Sequence, residues 1–386
     1  MILNPALLYT FFWSFLLFLY NLRLSNVLLP LSRAALFYFL ATICMFLLGN
    51  ILFSLVSRKL IVCPKFRLEV YREWVFSPHT TKMLSTLTKI LLVGLSAEIV
   101  YFQNLPLISL FGVGRTVLYT DFGFPGIHGL FNAILLVILS ILFVRQLFKP
   151  TRLNLMLIIL AFAWPVLLVT RQLFVTIAVE FVFLYILVRG VSFKRFAKVF
   201  MLVCGLVFMF GYIGDMRSGR DSFIALARPT FEYPDFLPSG LLWVYIYMVS
   251  PLNNVVNNMD IAPYYAPIGT ISGLIPSFAR SFLMDLLGVT PPEWRLVNET
   301  LNVSSMHEKY LTDFGPYLSN FFYFLVSFFS CFLAKRSSRD PRYGFALVVV
   351  LHSIVFSFFA DFLFHLVFVA QLVFYIVLFK RPRLNA

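Results

Sequence analysis

Ala133-Ile-Leu-Leu-Val-Ile-Leu-Ser-Ile-Leu-Phe-Val144 decides the fold. A strand of an outer-membrane barrel alternates lipid-facing and lumen-facing residues, whereas this run is apolar on every side. A helix that is apolar all round is buried in a large core or set in a membrane. The rest of the chain selects the membrane: of 386 residues 60% are hydrophobic and 12% charged, against about 25% charged in a soluble domain. The sequence predicts an all-α polytopic membrane protein.

With about 20 apolar residues per crossing, spans fall near 5–22, 34–56, 83–103, 127–148, 153–169, 173–190, 197–214, 314–334, 343–360 and 362–379. Two further apolar segments, 239–257 and 264–288, read as a transmembrane hairpin or as re-entrant helices, giving 10–12 transmembrane helices. No soluble block of a hundred residues remains, so 1–386 reads as a single polytopic domain. The start of the chain lacks the basic region and small-residue site of a cleaved signal, and 5–22 reads as a retained first span. Cys44, Cys204 and Cys331 lie in apolar runs and Cys63 in a basic loop; no disulfide is expected.

The net charge of +14 is a topology signal. Nucleic-acid modules gather Lys and Arg on one solvated face, and here they sit in short loops between spans. Loops 57–82, 145–152, 189–198 and 335–342, with the tail from Lys380, carry the excess and face the cytoplasm by the positive-inside rule. Both termini are then cytoplasmic. The other side receives loops 23–33 and 104–126, the turn at 170–172, the turn at Asp361 and the long polar stretch 215–313. Ten of the seventeen acids lie between Gly211 and Gly315, so chemistry outside the bilayer belongs there, with loop 104–126 in the same compartment.

Arginines on that side break the charge rule. For Arg220, Arg228 and Arg295 the plain reading is snorkelling or a local acid, such as Asp221 for Arg220. Arg171, Arg217 and Arg280 lie beside apolar sequence near the membrane surface, where an unpaired cation is costly; Arg115 joins them as a fourth candidate. A guanidinium fork matches phosphate oxygens, which points to a lipid diphosphate. Asp313, within Thr312-Asp-Phe-Gly-Pro316, and His307 are the candidate bases. Glu180 falls mid-membrane, a functional candidate by position, with His352 as its expected partner in the structural reading. There is no Asp-x-Asp, His-Glu-x-x-His, Walker loop or Cys cluster; no metal and no cofactor are expected.

Four local features carry a resemblance: Gly112-Val-Gly-Arg115 leading to Phe122-Gly-Phe-Pro-Gly-Ile-His128; Thr170-Arg-Gln172; Gly214-Asp-Met-Arg-Ser-Gly219 followed by Tyr247-Met-Val-Ser-Pro-Leu-Asn-Asn254; and Tyr310-Leu-Thr-Asp-Phe-Gly315. Over about residues 100 to 330 the sequence resembles the oligosaccharide repeat-unit polymerases, the O-antigen (Wzy-type) polymerases. The resemblance implies a metal-independent, GT-C-like glycosyltransferase of the bacterial inner membrane, with 215–313 as a periplasmic loop region. Both substrates would be undecaprenyl-diphosphate-linked oligosaccharides, and a chain-length regulator and a flippase of the same pathway would be partners alongside membrane lipid. By carry-over, Arg171, Arg217 and Arg280 hold the donor diphosphate, and Asp313 or His307 handles the acceptor hydroxyl. An O-antigen ligase is the nearest alternative. A flippase would show internal symmetry and charges through the bilayer, and an acyltransferase would use His352 or His365.

Overall fold

In the computed structural model the described residues are 3–57, 67–118, 120–190, 219–288 and 294–381, with isolated positions between 190 and 219. Their regular secondary structure is helical, with one isolated bridge between Ser25 and Pro229. The helices are α1 (Pro5–Asn21), α2 (Arg33–Ser57), α3 (Leu68–Phe76), α4 (Pro78–Phe102), α5 (Pro106–Leu110), α6 (Ile127–Phe148), α7 (Arg152–Leu167) and α8 (Arg171–Arg189). After the break come α9 (Arg220–Ala227), α10 (Gly240–Asn257), α11 (Ile268–Ser272), α12 (Ser277–Leu287), α13 (His307–Ser337), α14 (Pro341–Val355) and α15 (Leu366–Val373, continuing as a π turn to Leu378).

Six of these helices are long and apolar enough to cross a membrane, and α1, α7 and α15 are shorter apolar helices. Nine of the ten expected crossings fall on them; the tenth, 197–214, lies largely outside the described residues.

The opening stretch occupies the position its composition requires. α6 is buried at every residue from Ala133 to Leu142, enclosed by α4, α7, α8 and α15. A second centre is α13 against α2, where close approach depends on small residues. A Cβ on Gly49 would lie 2.6 Å from the Phe324 carbonyl and 2.8 Å from Ser327 Cβ, and the Ser327 hydroxyl donates to the Phe46 carbonyl at 2.5 Å. α1 completes this half, with Tyr9 stacked on Phe46 at 4.1 Å and Trp13 Nε1 donating to Ser357 Oγ at 2.9 Å.

The predicted loops sort to two ends. At one, Tyr71 donates to the Ser337 carbonyl at 2.8 Å, Trp74 Nε1 to Lys380 O at 3.1 Å, Arg145 Nε to Val75 O at 2.8 Å and Arg342 to Phe379 O at 3.1 Å. The basic loops thus meet one another. The amphipathic α3, whose Tyr71, Trp74 and Val75 are buried, lies within the segment read as a plain loop at 57–82. At the opposite end, Asn26 N donates to Arg228 O at 2.8 Å, Tyr264 N to Thr312 O at 2.8 Å and Leu366 N to Gly273 O at 3.0 Å.

The two apolar segments inside the polar stretch differ from each other. Residues 239–257 form the single helix α10, whose buried Asn253 accepts from Tyr20 Oη and Leu29 N, both at 2.8 Å. Residues 264–288 form α11 and α12, of 5 and 11 residues. At about 1.5 Å per residue neither approaches a hydrocarbon core of about 30 Å. The turn Gly273-Leu-Ile-Pro276 separates them, since proline removes a helical donor.

Candidate functional site

At the end of the bundle opposite the basic loops, α11 and α12 enclose a cavity of about 280 Å³, with walls of Ile268, Ile271, Leu283 and Met284 and polar edges from Ser272 and Arg280. Arg280 is exposed on the inward face of α12; Phe278, Phe282 and Leu286, exposed at 65, 69 and 70%, form the stripe on its other face. A helix with one apolar face outward and one cation inward suits a boundary between lipid and a polar site.

Asp313 sets the position of this wall. α13 is broken at Gly315, where φ is 68° and ψ 178°, a conformation glycine adopts without a Cβ penalty, and Pro316 follows. The break leaves Asp313 fully buried beneath α11. Its carboxylate accepts from Gly269 N, Thr270 N and Thr270 Oγ, each at 2.7 Å. A carboxylate at the first turn satisfies donors that the helix itself cannot. In this arrangement Asp313 is the anchor of α11.

His307 opens α13 inside an aromatic cage. Its Nδ1 meets Tyr38 Oη at 2.9 Å and Tyr323 Oη at 2.6 Å, Trp13 stands edge-on to the ring at 4.4 Å, and the residue has no exposed surface. Neither Asp313 nor His307 lines the cavity.

The four arginines are not assembled by the described contacts. Arg115 is exposed on a loop held by its own carbonyl, which accepts from Asn104 Nδ2 at 2.6 Å and Ser109 Oγ at 3.1 Å. Among the described residues, no hydrogen bond or ion pair joins Arg115 to Arg280. Arg171 starts α8 behind Thr170, with its side chain outside the described residues, as is all of Arg217. The loop of Arg115 nevertheless reaches the wall: a Cβ on Gly126 would lie 2.3 Å from Pro276 Cβ. The fully buried Glu98 ties that loop down, accepting from Phe124 N at 3.0 Å and meeting His128 Nδ1 at 2.9 Å.

Of the remaining outward arginines, Arg220 and Arg295 find acids, one of them with a partner different from the one expected, and Arg228 has no ion pair among the described residues. Arg220 pairs with Asp235 at 2.8 Å rather than with Asp221, because the turn after α9 returns residues 233–235 to it; the guanidinium also donates to Pro234 O at 2.6 Å. Arg295 pairs with Asp260.

One cation escaped the reading by arginine. Lys309, the only lysine between Gly211 and Gly315, places Nζ 2.8 Å from where a Gly273 Cβ would stand and 3.7 Å from Asp361 Oδ2. Asp361 accepts from Leu363 N and Phe364 N at 3.1 and 3.2 Å. Burial pushes its carboxyl above the usual range, with Lys309 opposing. Burial, then Lys309 and then Arg280, hold the His365 ring down to about 4. Arg280 and Lys309 therefore flank the α11–α12 turn, with Asp361 beside Lys309.

Deeper in the bundle, Glu180 takes Ser140 and Gln371 as partners, at 3.2 and 2.9 Å, in place of His352. The His352 ring instead lies among phenylalanines, stacked with Phe356 and Phe368 at 5.0 Å.

Comparison with family models, with curated proteins and with solved structures finds no match to this chain.

Proposed function

We propose that this membrane-embedded chain is a metal-independent glycosyltransferase that polymerises undecaprenyl-diphosphate-linked oligosaccharide repeat units at the periplasmic face of a bacterial inner membrane. The observation that carries the reading is the α11–α12 cavity: apolar walls, an exposed Arg280 at its edge and Lys309 behind its turn. Such a site suits a ligand with a hydrocarbon tail and an anionic head.

The reaction breaks the bond between the anomeric carbon of the growing chain and its diphosphate oxygen. It forms a glycosidic bond to a hydroxyl of the incoming unit, releases the proton of that hydroxyl and frees undecaprenyl diphosphate. Charge develops on the leaving diphosphate, and fixed cations aimed there lower the barrier. Arg280 and Lys309 take that role, with Arg171, Arg217 and Arg115 completing the clamp. Asp313 holds the wall in place.

The test is reconstitution of the full-length protein in vesicles with a defined lipid-linked repeat unit and a chelator, read as a product ladder on a gel. A ladder supports the polymerase. Transfer to lipid A core without lengthening indicates the ligase, and movement of the labelled lipid across the bilayer without lengthening indicates a flippase.

A further inference from the structure

Glu180, on α8, is 1% exposed in the middle of a membrane-crossing helix. Around it stand Ser140 of α6, and Gln371 and Tyr375 of α15, all buried. Glu180 Oε2 accepts from Ser140 Oγ at 3.2 Å and from Gln371 Nε2 at 2.9 Å. Two further polar atoms of this group, Glu180 Oε1 and Gln371 Oε1, are buried without a hydrogen-bond partner, and the Tyr375 hydroxyl is buried beside Ser140 and Gln371.

The pattern of satisfied and orphaned atoms identifies what is missing. An ionised carboxylate and an amide oxygen are both acceptors only, so Glu180 Oε1 and Gln371 Oε1 are left without a donor. A buried carboxylate needs a cation beside it, and both hydrogen-bonding partners here are neutral. Among the described residues, the elements packed on α8 supply none at this depth. α6 carries no charged residue from 133 to 144, and α7 has only Arg152 at its start. On α14, Arg342, paired with Asp340, and Tyr343 lie in the first turn, and the remaining titratable group is His352, enclosed by Phe356 and Phe368. On α15 it is Tyr375.

We infer that Glu180 is a proton-holding site: its hydrogen sits on Oε1 and is donated to Gln371 Oε1, closing an acid–amide pair between α8 and α15. One proton turns two orphan acceptors into one hydrogen bond and removes the buried charge. The pair also leaves the second lone pair of Gln371 Oε1 for the Tyr375 hydroxyl, one turn further along α15. Removal of the proton would set an unbalanced charge among α6, α8 and α15 and leave Glu180 Oε1 and Gln371 Oε1 without a donor again.

Infrared difference spectroscopy of the purified full-length protein, wild type against Glu180→Gln, tests this near neutral pH. The expected result is an acid carbonyl band that shifts in heavy water and is lost in E180Q. An ionised-carboxylate band lost in its place would overturn the inference. Sodium or potassium that stabilises the wild type but not E180Q at constant ionic strength would also overturn it, since the missing positive charge would then be a metal cation. If E180Q does not fold, Gln371→Met in the same measurement decides: the acid band moves to higher frequency if Gln371 accepts its proton, and an unmoved band rejects the pair.

Discussion

Asp313 and Thr270 are joined twice: one carboxylate oxygen of Asp313 accepts both the main-chain N–H and the side-chain hydroxyl of Thr270, each at 2.7 Å. With Gly269 N on the other oxygen, three donors converge on a group that has no exposed surface. Asp313→Asn places an amide NH2 against one set of these donors and leaves them unmet. The expected cost is about 1–3 kcal/mol, seen as a lower thermal midpoint and as faster proteolysis within 260–290. Thr270→Ser, which keeps the hydroxyl, should stay near wild type. A D313N protein as stable and as protease-resistant as wild type would show that the carboxylate does not anchor α11.

Arg280 carries the anion-binding part of the functional proposal. Arg280→Ala should abolish long-chain product while the protein inserts at normal levels, and Lys309→Ala should shorten the product distribution. Arg171→Ala and Arg217→Ala belong with R280A, and Arg171→Lys should fail too if two-pronged geometry matters. Chain-length profiles from whole cells, normalised to membrane protein, provide the readout. Full-length polysaccharide from R280A would remove the cavity from the site.

Asn254 of α10 joins two parts of the outer end. Its Nδ2 donates to Leu301 O and Val303 O, each at 2.9 Å, and its Oδ1 accepts from Val297 N at 3.1 Å. Asn254→Asp turns two donors into acceptors that face carbonyls and buries a charge, at a cost of about 3 kcal/mol or more. Asn254→Leu, which loses the bonds without adding charge, should be the milder of the two. Equal melting points for N254D and N254L would contradict this.

His365 gives the outer end a dependence on acid. An ordinary imidazole titrates near 6.5, and burial holds His365 down to about 4. Between those values the unfolded chain binds a proton that the folded protein refuses, so stability falls as pH is lowered through the window. The slope is at most about 1.4 kcal/mol per pH unit. Asp361, pushed upward, acts with the opposite sign, so the comparison is wild type against His365→Gln. The stability difference between them should change across that window and be flat above it.

Gly344 marks the contact between α3 and the bundle. A Cβ there would fall 1.8 Å from Tyr71 Oη and 2.7 Å from its Cζ. Gly344→Ala should displace α3, and Tyr71→Ala in the same chain should recover much of the loss, a non-additivity typical of residues in contact. Melting curves of the two single variants and the double variant measure it.

Helices that cross in one piece were legible because a long apolar run has few alternatives in lipid. The clearest case is 127–148, whose bounds are those of α6. Residues 264–288 read as an apolar segment but are cut by Gly273 and Pro276, and punctuation outweighs composition over so short a length. Asp313 and His307 were visible as residues, and their surroundings were not, because burial and partners come from segments distant in the chain: Gly269 and Thr270 for one, Tyr38 and Trp13 for the other. Lys309 stands out in the sequence as the one lysine among the arginines of the polar stretch, but its place beside Gly273 and Asp361 comes from segments distant in the chain. The network at Glu180 was half legible: the acid was singled out, but a glutamine and a serine leave no mark in a hydropathy profile.

The hydrogen bond from Leu366 N to Gly273 O ties the cavity wall to α15. During synthesis, α1 to α12 emerge before that donor exists. The turn between α11 and α12 therefore keeps a main-chain acceptor open until Leu366 has been made. The wall is latched only once α15 is present, so truncations that remove α15 should yield inserted helices whose outer wall is unlatched, a state open to quality-control proteases.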